Sequence, residues 1–326
     1  MSTPWRMWVA GARPRTLPAA VVPVVVGTAA GYLSSGRFFV TPVTVHGHKY
    51  LGGAVVEHHL SYLNAVMALV VALAIQIGTN YVNDYADGER GTDEARVGPI
   101  RLVGGKLATV KQVKRAALIS FGIAGVAGLV LADRVTWWLV PLGLICGIAG
   151  WGYTGGPHPY GYLGFGELFV FIFFGLVATA GSAYVQHAPF VTSYLGHPYS
   201  FVYPWRFAIF TGIPIGLLAA ALLQANNLRD LQTDKESGKK TLAVRLGRKN
   251  AGAFYAVTLM GVALSIGLLQ HYRGWSLLGL IALPLAFYPL RMAMGDRNGR
   301  RLLPMLGATS RLQLALGILL TIGILI

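Results

Sequence analysis

A single cysteine, Cys146, stands in 326 residues and lies in an apolar run. That excludes an intrachain disulfide and any metal centre built from several thiolates. Charge is nearly as scarce. Only 12% of the residues are charged, against about 25% in a soluble domain. With 54% hydrophobic residues, the composition is that of a membrane protein. Acids are scarcest of all: 12 Asp and Glu face 27 Lys and Arg, a formal net charge of +15. The bases sit in short loops between apolar runs, which fits anionic lipid headgroups and phosphate ligands and argues against nucleic acid. Arg6, Arg13 and Arg15 ahead of an apolar run imitate a signal peptide, but the many later runs favour a retained first span.

What the chain has in place of charge is long apolar runs. They fall at about 16–35, 61–83, 115–133, 135–153, 164–188, 207–228, 252–271, 274–293 and 302–326. Each is close to the roughly 20 residues that cross a bilayer as a helix. Nine spans predict an all-α, polytopic fold in one integral-membrane domain, 1–326. An Asn-then-Asp span end followed by a basic loop recurs four spans later, suggesting two related halves, about 1–153 and 154–326. The connections 36–60 and 189–206 read as interfacial loops with room for short helices on the membrane. Arg311, inside the last run, should face protein or snorkel. With nine spans, 21 bases lie on the side of the N-terminus and five on the other. The positive-inside rule makes the first side cytoplasmic, and both acidic clusters lie on it. The expectation is a multi-pass protein of the cell membrane.

The few acids are concentrated. Asn80 to Arg101, NYVNDYADGERGTDEARVGPIR, holds five of the 12 acids and three arginines. Asn226 to Gly247, NNLRDLQTDKESGKKTLAVRLG, holds three acids and five bases, Arg229, Lys235, Lys239, Lys240 and Arg245. At about 100° per residue, Asn80, Asp84 and Asp87 share one helix face with Asn83 beside them. Asn227, Asp230 and Asp234 repeat the arrangement. Carboxylates so spaced suit Mg²⁺, which keeps several waters and bridges one or two carboxylates to a diphosphate. The interleaved bases supply the rest of diphosphate recognition, Arg as a planar fork and Lys as a point charge. Arg96, Arg101, Lys239 and Lys240 are near enough to the acids in sequence to fold over such a ligand. A lone acidic pair at a helix end is usually solvated surface; two on one side, each preceded by Asn, favour a metal-bound phosphorylated ligand. A secondary transporter carrying ions on Asp and Asn is the other reading. The acids sit at span ends, however, and only Glu167 lies within a span. His46, His48, His58 and His59 fall on the opposite side without a uniting spacing, so they do not read as a metal site.

NDYADGERGTD at 83–93, ARVGPIR at 95–101 and the 226–247 stretch resemble the UbiA superfamily of intramembrane prenyltransferases, and within it the 1,4-dihydroxy-2-naphthoate polyprenyltransferases. WVAGARPRTLPAA at 8–20 is similar to the family's opening and YTGGPHPYGYLGFGELFVFIFFG at 153–175 to its middle. The resemblance implies a nine-helix bundle around a central cavity open to the cytoplasm, binding polyprenyl diphosphate through Mg²⁺ among membrane lipids. The first motif maps to Asn83, Asp84 and Asp87, with Asn80 one turn earlier, and the second to Asp230 and Asp234. Where many members carry a third acid this chain has Gly91, and Asp93 is the stand-in ligand. Asn80, Asn83, Arg96, Arg101, Asn227, Arg229, Lys235, Lys239 and Lys240 make up the expected diphosphate set.

The implied reaction moves a polyprenyl group to 1,4-dihydroxy-2-naphthoate with decarboxylation and release of diphosphate, giving demethylmenaquinone in menaquinone biosynthesis. Another aromatic acceptor, such as 4-hydroxybenzoate, is the alternative within the family. Ionising an allylic C–O bond calls for Mg²⁺, Arg and Lys around the departing diphosphate and a water-poor, π-rich pocket around the cation. Trp151, Tyr153, Phe169, Phe171 and Phe173 are candidates for that pocket. Tyr153 leads, closing a span beside the glycine-rich TGGP turn.

Overall fold

The computed structural model describes residues 4–33, 60–91, 101–186 and 206–326, and the backbone alone of residues 34, 37–45, 48–57, 187, 193–194, 197–198 and 205. Hydrocarbon offers a peptide group no partner, so the apolar runs satisfy their own hydrogen bonds as helices. In chain order these are α1 Trp5–Gly11, α2 Pro18–Ser34, α3 Tyr62–Glu89, α4 Val110–Arg134, α5 Leu139–Gly152, α6 Gly166–Val170, α7 Ala178–His187, α8 Trp205–Glu236, α9 Leu242–Leu269, α10 Phe287–Met294 and α11 Leu303–Leu325. A π-helical turn, Phe171–Val177, joins α6 to α7, and 3-10 turns over Gly274–Ala286 lead into α10.

Among the described residues seven helical segments are long and apolar enough to cross a membrane. An eighth is the bent pair Trp5–Thr16 and Pro18–Leu33, which turns by 57°. The ninth apolar run, α5, has 14 residues, short of the roughly 20 that span a bilayer upright. The bend in the first span was not expected. It falls where Pro14 and Pro18 interrupt the helical bonding and Arg13 takes a left-handed backbone, φ 54°.

One loop expectation is corrected. Residues 37–45 and 48–57 are strands and not helices: β1, Arg37–Val45, pairs antiparallel with β2, His48–Glu57, in the register Arg37↔Glu57 to Val45↔His48. The runs FFV, VTV and VVE are rich in β-branched and aromatic residues, which favour strands. The register breaks beside Pro42, which has no N–H to offer the ladder. Within 189–206, Ser193–Tyr194 pairs with His197–Pro198, and the remainder up to residue 204 lies outside the described residues.

Helix starts follow local chemistry. Ser61, Thr109 and Thr241 cap α3, α4 and α9 with side-chain oxygens that accept the N–H groups of Asn64, Gln112 and Val244. α8 is the central post, with 72% of its most apolar window buried inside the protein. Ile215, Leu218 and Ala221 of α8 pack in one core with Val26 of α2, Tyr255 of α9 and Leu312 and Leu316 of α11. α3 and α8 run for 28 and 32 residues. At about 1.5 Å per residue both outlast a hydrocarbon core of about 30 Å, so their acidic ends remain helical beyond it.

At the other end of α3 a polar clasp joins three helices. Asn64 donates to the Val185 carbonyl at 2.7 Å and accepts from Arg134 Nε at 2.9 Å. Gln186 Oε1 accepts from the Ser61 N–H at 2.9 Å. Arg311 lies exposed on α11, so of the two expectations the one in which it faces protein is not met.

Candidate active site

One face of α3 lines a cavity of about 740 Å³, from Ala68 through Val71, Ala72, Ile75 and Thr79 to Asp87. The i, i+3, i+4 spacing keeps these side chains in one stripe, and the 19 steps from Ala68 to Asp87 at about 1.5 Å each give a wall of about 28 Å. The stripe is apolar at Ala68 and polar at Asp87, so the cavity has a greasy depth and a charged mouth. Four bases, Arg13, Arg101, Arg229 and Lys239, and two acids, Asp87 and Asp234, are its charged lining among the described residues. That excess of positive charge suits a polyanion.

The two acidic clusters meet at this mouth. Asp87 Oδ1 accepts hydrogen bonds from Lys239 Nζ at 2.8 Å and from the Tyr162 hydroxyl, and Oδ2 is 3.4 Å from Arg101 Nη2. Lys239 also stands 4.6 Å from the centre of the Tyr162 ring, and the Arg90 guanidinium 5.2 Å from it, both cation–π contacts. The turn after α8 aims Lys239 inward: Gly238 takes φ 74°, open to glycine at little cost, and the Lys239 N–H returns to the Asp234 carbonyl at 2.8 Å. Burial, and then the Asp87 charge, push the Tyr162 phenol well above its usual range, so it stays a neutral donor. Arg229 presents Nε and Nη2 to Asp230 at 2.7 Å each, and its Nη1 is buried without a hydrogen-bond partner among the described residues.

The expected site residues divide. Asn80, Asn83, Asp87, Arg101, Asn227, Arg229, Asp234, Lys239 and Tyr153 all line the cavity. Asp84 does not: its two oxygens accept the Leu102 and Val103 N–H groups at 2.8 and 3.0 Å, pinning the chain where it returns to α3. Val103 packs over Gly88 so closely that a Cβ there would collide with it. Asp230 sits behind Arg229 with both oxygens engaged. Lys235 and Lys240 are exposed and outside the cavity lining; they stand on the outward side of the turn that brings Lys239 in. Asp93 and Arg96 lie outside the described residues. Gly91 has φ 68°, just past the end of α3, so the helix does not carry an acid at that position onto the Asp87 face.

The lining offers hard oxygens, the carboxylates of Asp87 and Asp234 and the amides of Asn80, Asn83 and Asn227. No three His, Cys, Asp or Glu side chains cluster for a metal among the described residues. A donor set of two carboxylates plus amides fits Mg²⁺, which takes few protein ligands and fills its octahedron with water and phosphate. Each amide is held by a partner: Asn80 donates to the Ala12 carbonyl at 2.9 Å, Asn83 accepts from the Thr154 hydroxyl, and Asn227 donates to Glu167 at 2.9 Å.

Below the mouth an aromatic ladder follows the wall. Ring centres are 5.6 Å apart for Tyr153 and Tyr160, 4.0 Å for Tyr160 and Phe169, and 5.9 Å for Phe169 and Phe173. Trp151 faces the cavity beside Phe121 at 6.3 Å. Phe171 is absent from the lining and packs on Gly216 of α8. Sequence reasoning missed Tyr160, Tyr162 and Arg90, whose guanidinium holds the Thr154 and Gly156 carbonyls at 2.7 and 2.5 Å. The signal for the two tyrosines was the PYGYLG stretch after the TGGP turn, and that for Arg90 its place within the first acidic cluster.

A mouth built for a polyanion above an apolar, ring-lined depth narrows the kinds of protein this chain can resemble. It is 41% identical over 302 residues, covering 93% of this chain and 91% of the relative, to a 1,4-dihydroxy-2-naphthoate octaprenyltransferase of Mycobacterium tuberculosis. The apo structure of a UbiA homologue from Aeropyrum pernix K1 superposes with a TM-score of 0.63 at 14% identity, covering 94% of this chain and 96% of the other. A UbiA homologue from Archaeoglobus fulgidus bound to DMAPP and Mg²⁺ does so with a TM-score of 0.54 at 14% identity, covering 97% and 99%. At those identities the likeness is one of fold. The UbiA prenyltransferase family matches residues 50–306, which include both acidic clusters and the aromatic ladder, and the chain belongs to that family.

Proposed function

We propose that the chain transfers a polyprenyl group from polyprenyl diphosphate to 1,4-dihydroxy-2-naphthoate, releasing diphosphate and carbon dioxide and giving demethylmenaquinone in its quinol form. The observation that carries this reading is the meeting of Asp87, Lys239, Arg101 and Tyr162 above an apolar wall about as long as a bilayer is thick. The family match and the name of the Mycobacterium tuberculosis relative support the acceptor.

In this reading the diphosphate sits at the mouth and the prenyl tail lies along the α3 wall. Mg²⁺ would be held by Asp87 and Asp234, with Asp93 as a third candidate, and would supply charge stabilisation to the departing diphosphate. Lys239, Arg101 and Arg229 add donors to the same oxygens. The allylic C–O bond breaks with its electron pair on the diphosphate. The rings of Tyr153, Tyr160, Phe169 and Trp151 face the resulting cation and keep water away. The carboxyl-bearing ring carbon attacks, and the C–C bond to the departing carbon dioxide returns its electron pair to the ring. Asp84 and Asp230 act by position, one fixing the returning chain and the other orienting Arg229. We read the fold as nine spans in two related halves, 1–153 and 154–326, with the mouth on the cytoplasmic face of the cell membrane, on the bias of bases.

The test is purified protein in detergent with Mg²⁺ and octaprenyl diphosphate. Diphosphate and carbon dioxide released together with 1,4-dihydroxy-2-naphthoate, and neither with 4-hydroxybenzoate, is the expected result. Turnover of 4-hydroxybenzoate alone would overturn the acceptor assignment, and no bond cleavage with any acceptor would overturn the reaction.

A further inference from the structure

We propose that Arg13 and Thr79 form the acceptor's binding site, Arg13 holding the ring carboxylate and Thr79 a ring hydroxyl. The inference rests on the acceptor reading above. In sequence Arg13 and Arg15 are alike, two bases at the cytoplasmic end of the first span. The structure separates them: Arg15 is exposed, and Arg13 lines the cavity.

The backbone at Arg13 is costly to hold. Its φ of 54° and ψ of 70° lie in the left-handed region, which residues with a Cβ rarely adopt. Such a conformation persists where its surroundings over-determine it, and it points to function. The surroundings here are built for that purpose. The Thr16 hydroxyl donates to the Arg13 carbonyl at 2.9 Å, Asn80 donates to the Ala12 carbonyl at 2.9 Å, and Asn80 and Gln76 donate to the Thr16 hydroxyl at 3.2 and 3.3 Å. Two side chains of α3 therefore grip the residues on both sides of Arg13.

Depth and chemistry then point to the acceptor. Asn80, which anchors this bend, is two turns or about 10 Å along α3 from Asp87, below the expected diphosphate position. At the same level Thr79 lines the cavity at 9% exposure, and its hydroxyl has no hydrogen-bond partner among the described residues. A buried hydroxyl left in that state is costly unless a ligand completes it. Thr79 also lies beside Phe121, across Gly150, and Phe121 neighbours Trp151. An arginine that lines the cavity from a backbone anchored beside Asn80, an uncommitted hydroxyl at the adjacent position of α3 and two neighbouring aromatic rings match a flat aromatic acid bearing hydroxyls.

The experiment measures KM for 1,4-dihydroxy-2-naphthoate and for octaprenyl diphosphate, and the inhibition constant of carboxylate-free 1,4-dihydroxynaphthalene. It compares wild type with Arg13→Gly, Arg13→Gln and Thr79→Val. Glycine accepts the left-handed backbone, so Arg13→Gly should keep or gain thermal stability in detergent. It should raise KM for the naphthoate by about 10- to 100-fold, as expected for a lost charge-assisted bond, and leave the other two constants unchanged. Thr79→Val should weaken both aromatic ligands alike. Weakening of both aromatic ligands alike by Arg13→Gly, a rise in KM for the diphosphate, or collapse of stability in both Arg13 variants would overturn the proposal. An unchanged naphthoate KM in the Arg13 variants of an active enzyme would overturn this proposal alone. Wild type inactive with the naphthoate would overturn the proposed function and this inference with it.

Discussion

Lys239 Nζ stands 2.8 Å from Asp87 Oδ1, although 152 positions separate the two residues in the chain. This contact joins the acidic end of α3 to the turn after α8, and both partners are buried. Removing one member of such a pair leaves an uncompensated charge in a poorly solvated place.

Asp87→Asn should therefore lose at least about 100-fold in turnover, since it removes a carboxylate facing the expected diphosphate. The protein should still insert and remain helical. Lys239→Met should fall by a similar factor, and the double variant by less than the product of the two, because neighbours in one network are not additive. Diphosphate release under saturating substrates measures this. Near-normal turnover in Asp87→Asn would remove the site from the mouth.

Asp84→Asn should behave differently from its neighbour three residues on. Asp84 accepts two backbone N–H groups and faces away from the cavity. Losing a charged acceptor there should cost about 1–3 kcal/mol of stability, seen as an earlier melting transition in detergent. Turnover at a permissive temperature should stay within about tenfold of wild type, a kinetic barrier change below about 1.4 kcal/mol. Loss of all turnover with an unchanged melting point would make Asp84 a ligand in its own right.

Tyr162→Phe keeps the ring beneath Lys239 and Arg90 but removes the hydroxyl that Asp87 accepts from. Turnover should fall by about 10-fold or more, the weight of one hydrogen bond to a charged group. Adding Tyr162→Phe to Asp87→Asn should cost little further. Independent, multiplying effects would mean that Tyr162 touches substrate and does not act through Asp87.

Seven spans and both clusters were legible in the sequence because apolar length and scarce charge leave few arrangements in a bilayer. What periodicity could not resolve was which edge of the α3 face looks inward. Asn80, Asn83, Asp84 and Asp87 share an arc of about 100°. The chain returning at Leu102 and Val103 takes one edge, and the cavity takes the other. That partition depends on residues 18 and 19 positions later, so no local pattern records it. Tyr162 was hidden for the same reason, since its partners Asp87, Arg90 and Lys239 come from two distant segments. The bend at Arg13 had a local sign in its flanking prolines, but its direction depends on Asn80 and Gln76.

Topology can be tested at the two ends of α9. In a Cys146→Ser background, Glu236→Cys, just before α9, and His271→Cys, just after it, are both exposed positions. An impermeant thiol reagent added to intact cells should label His271→Cys and spare Glu236→Cys. The reverse pattern would turn the mouth to the outside and overturn the orientation.

The clasp of Asn64, Arg134, Val185 and Gln186 gives the bundle a mechanical asymmetry. One end of α3 is fastened to α4 and α7 by hydrogen bonds from Asn64, Arg134 and Gln186. The other end is held by ionic bonds to Asp87, whose partners are the same groups a diphosphate would attract. A lever hinged at Asn64 moves most at its free tip. Ligand arrival should then loosen α3 from the turn at Lys239 without disturbing the far side of the membrane, and amides near residues 61–68 should exchange with solvent at one rate whether or not the mouth is filled.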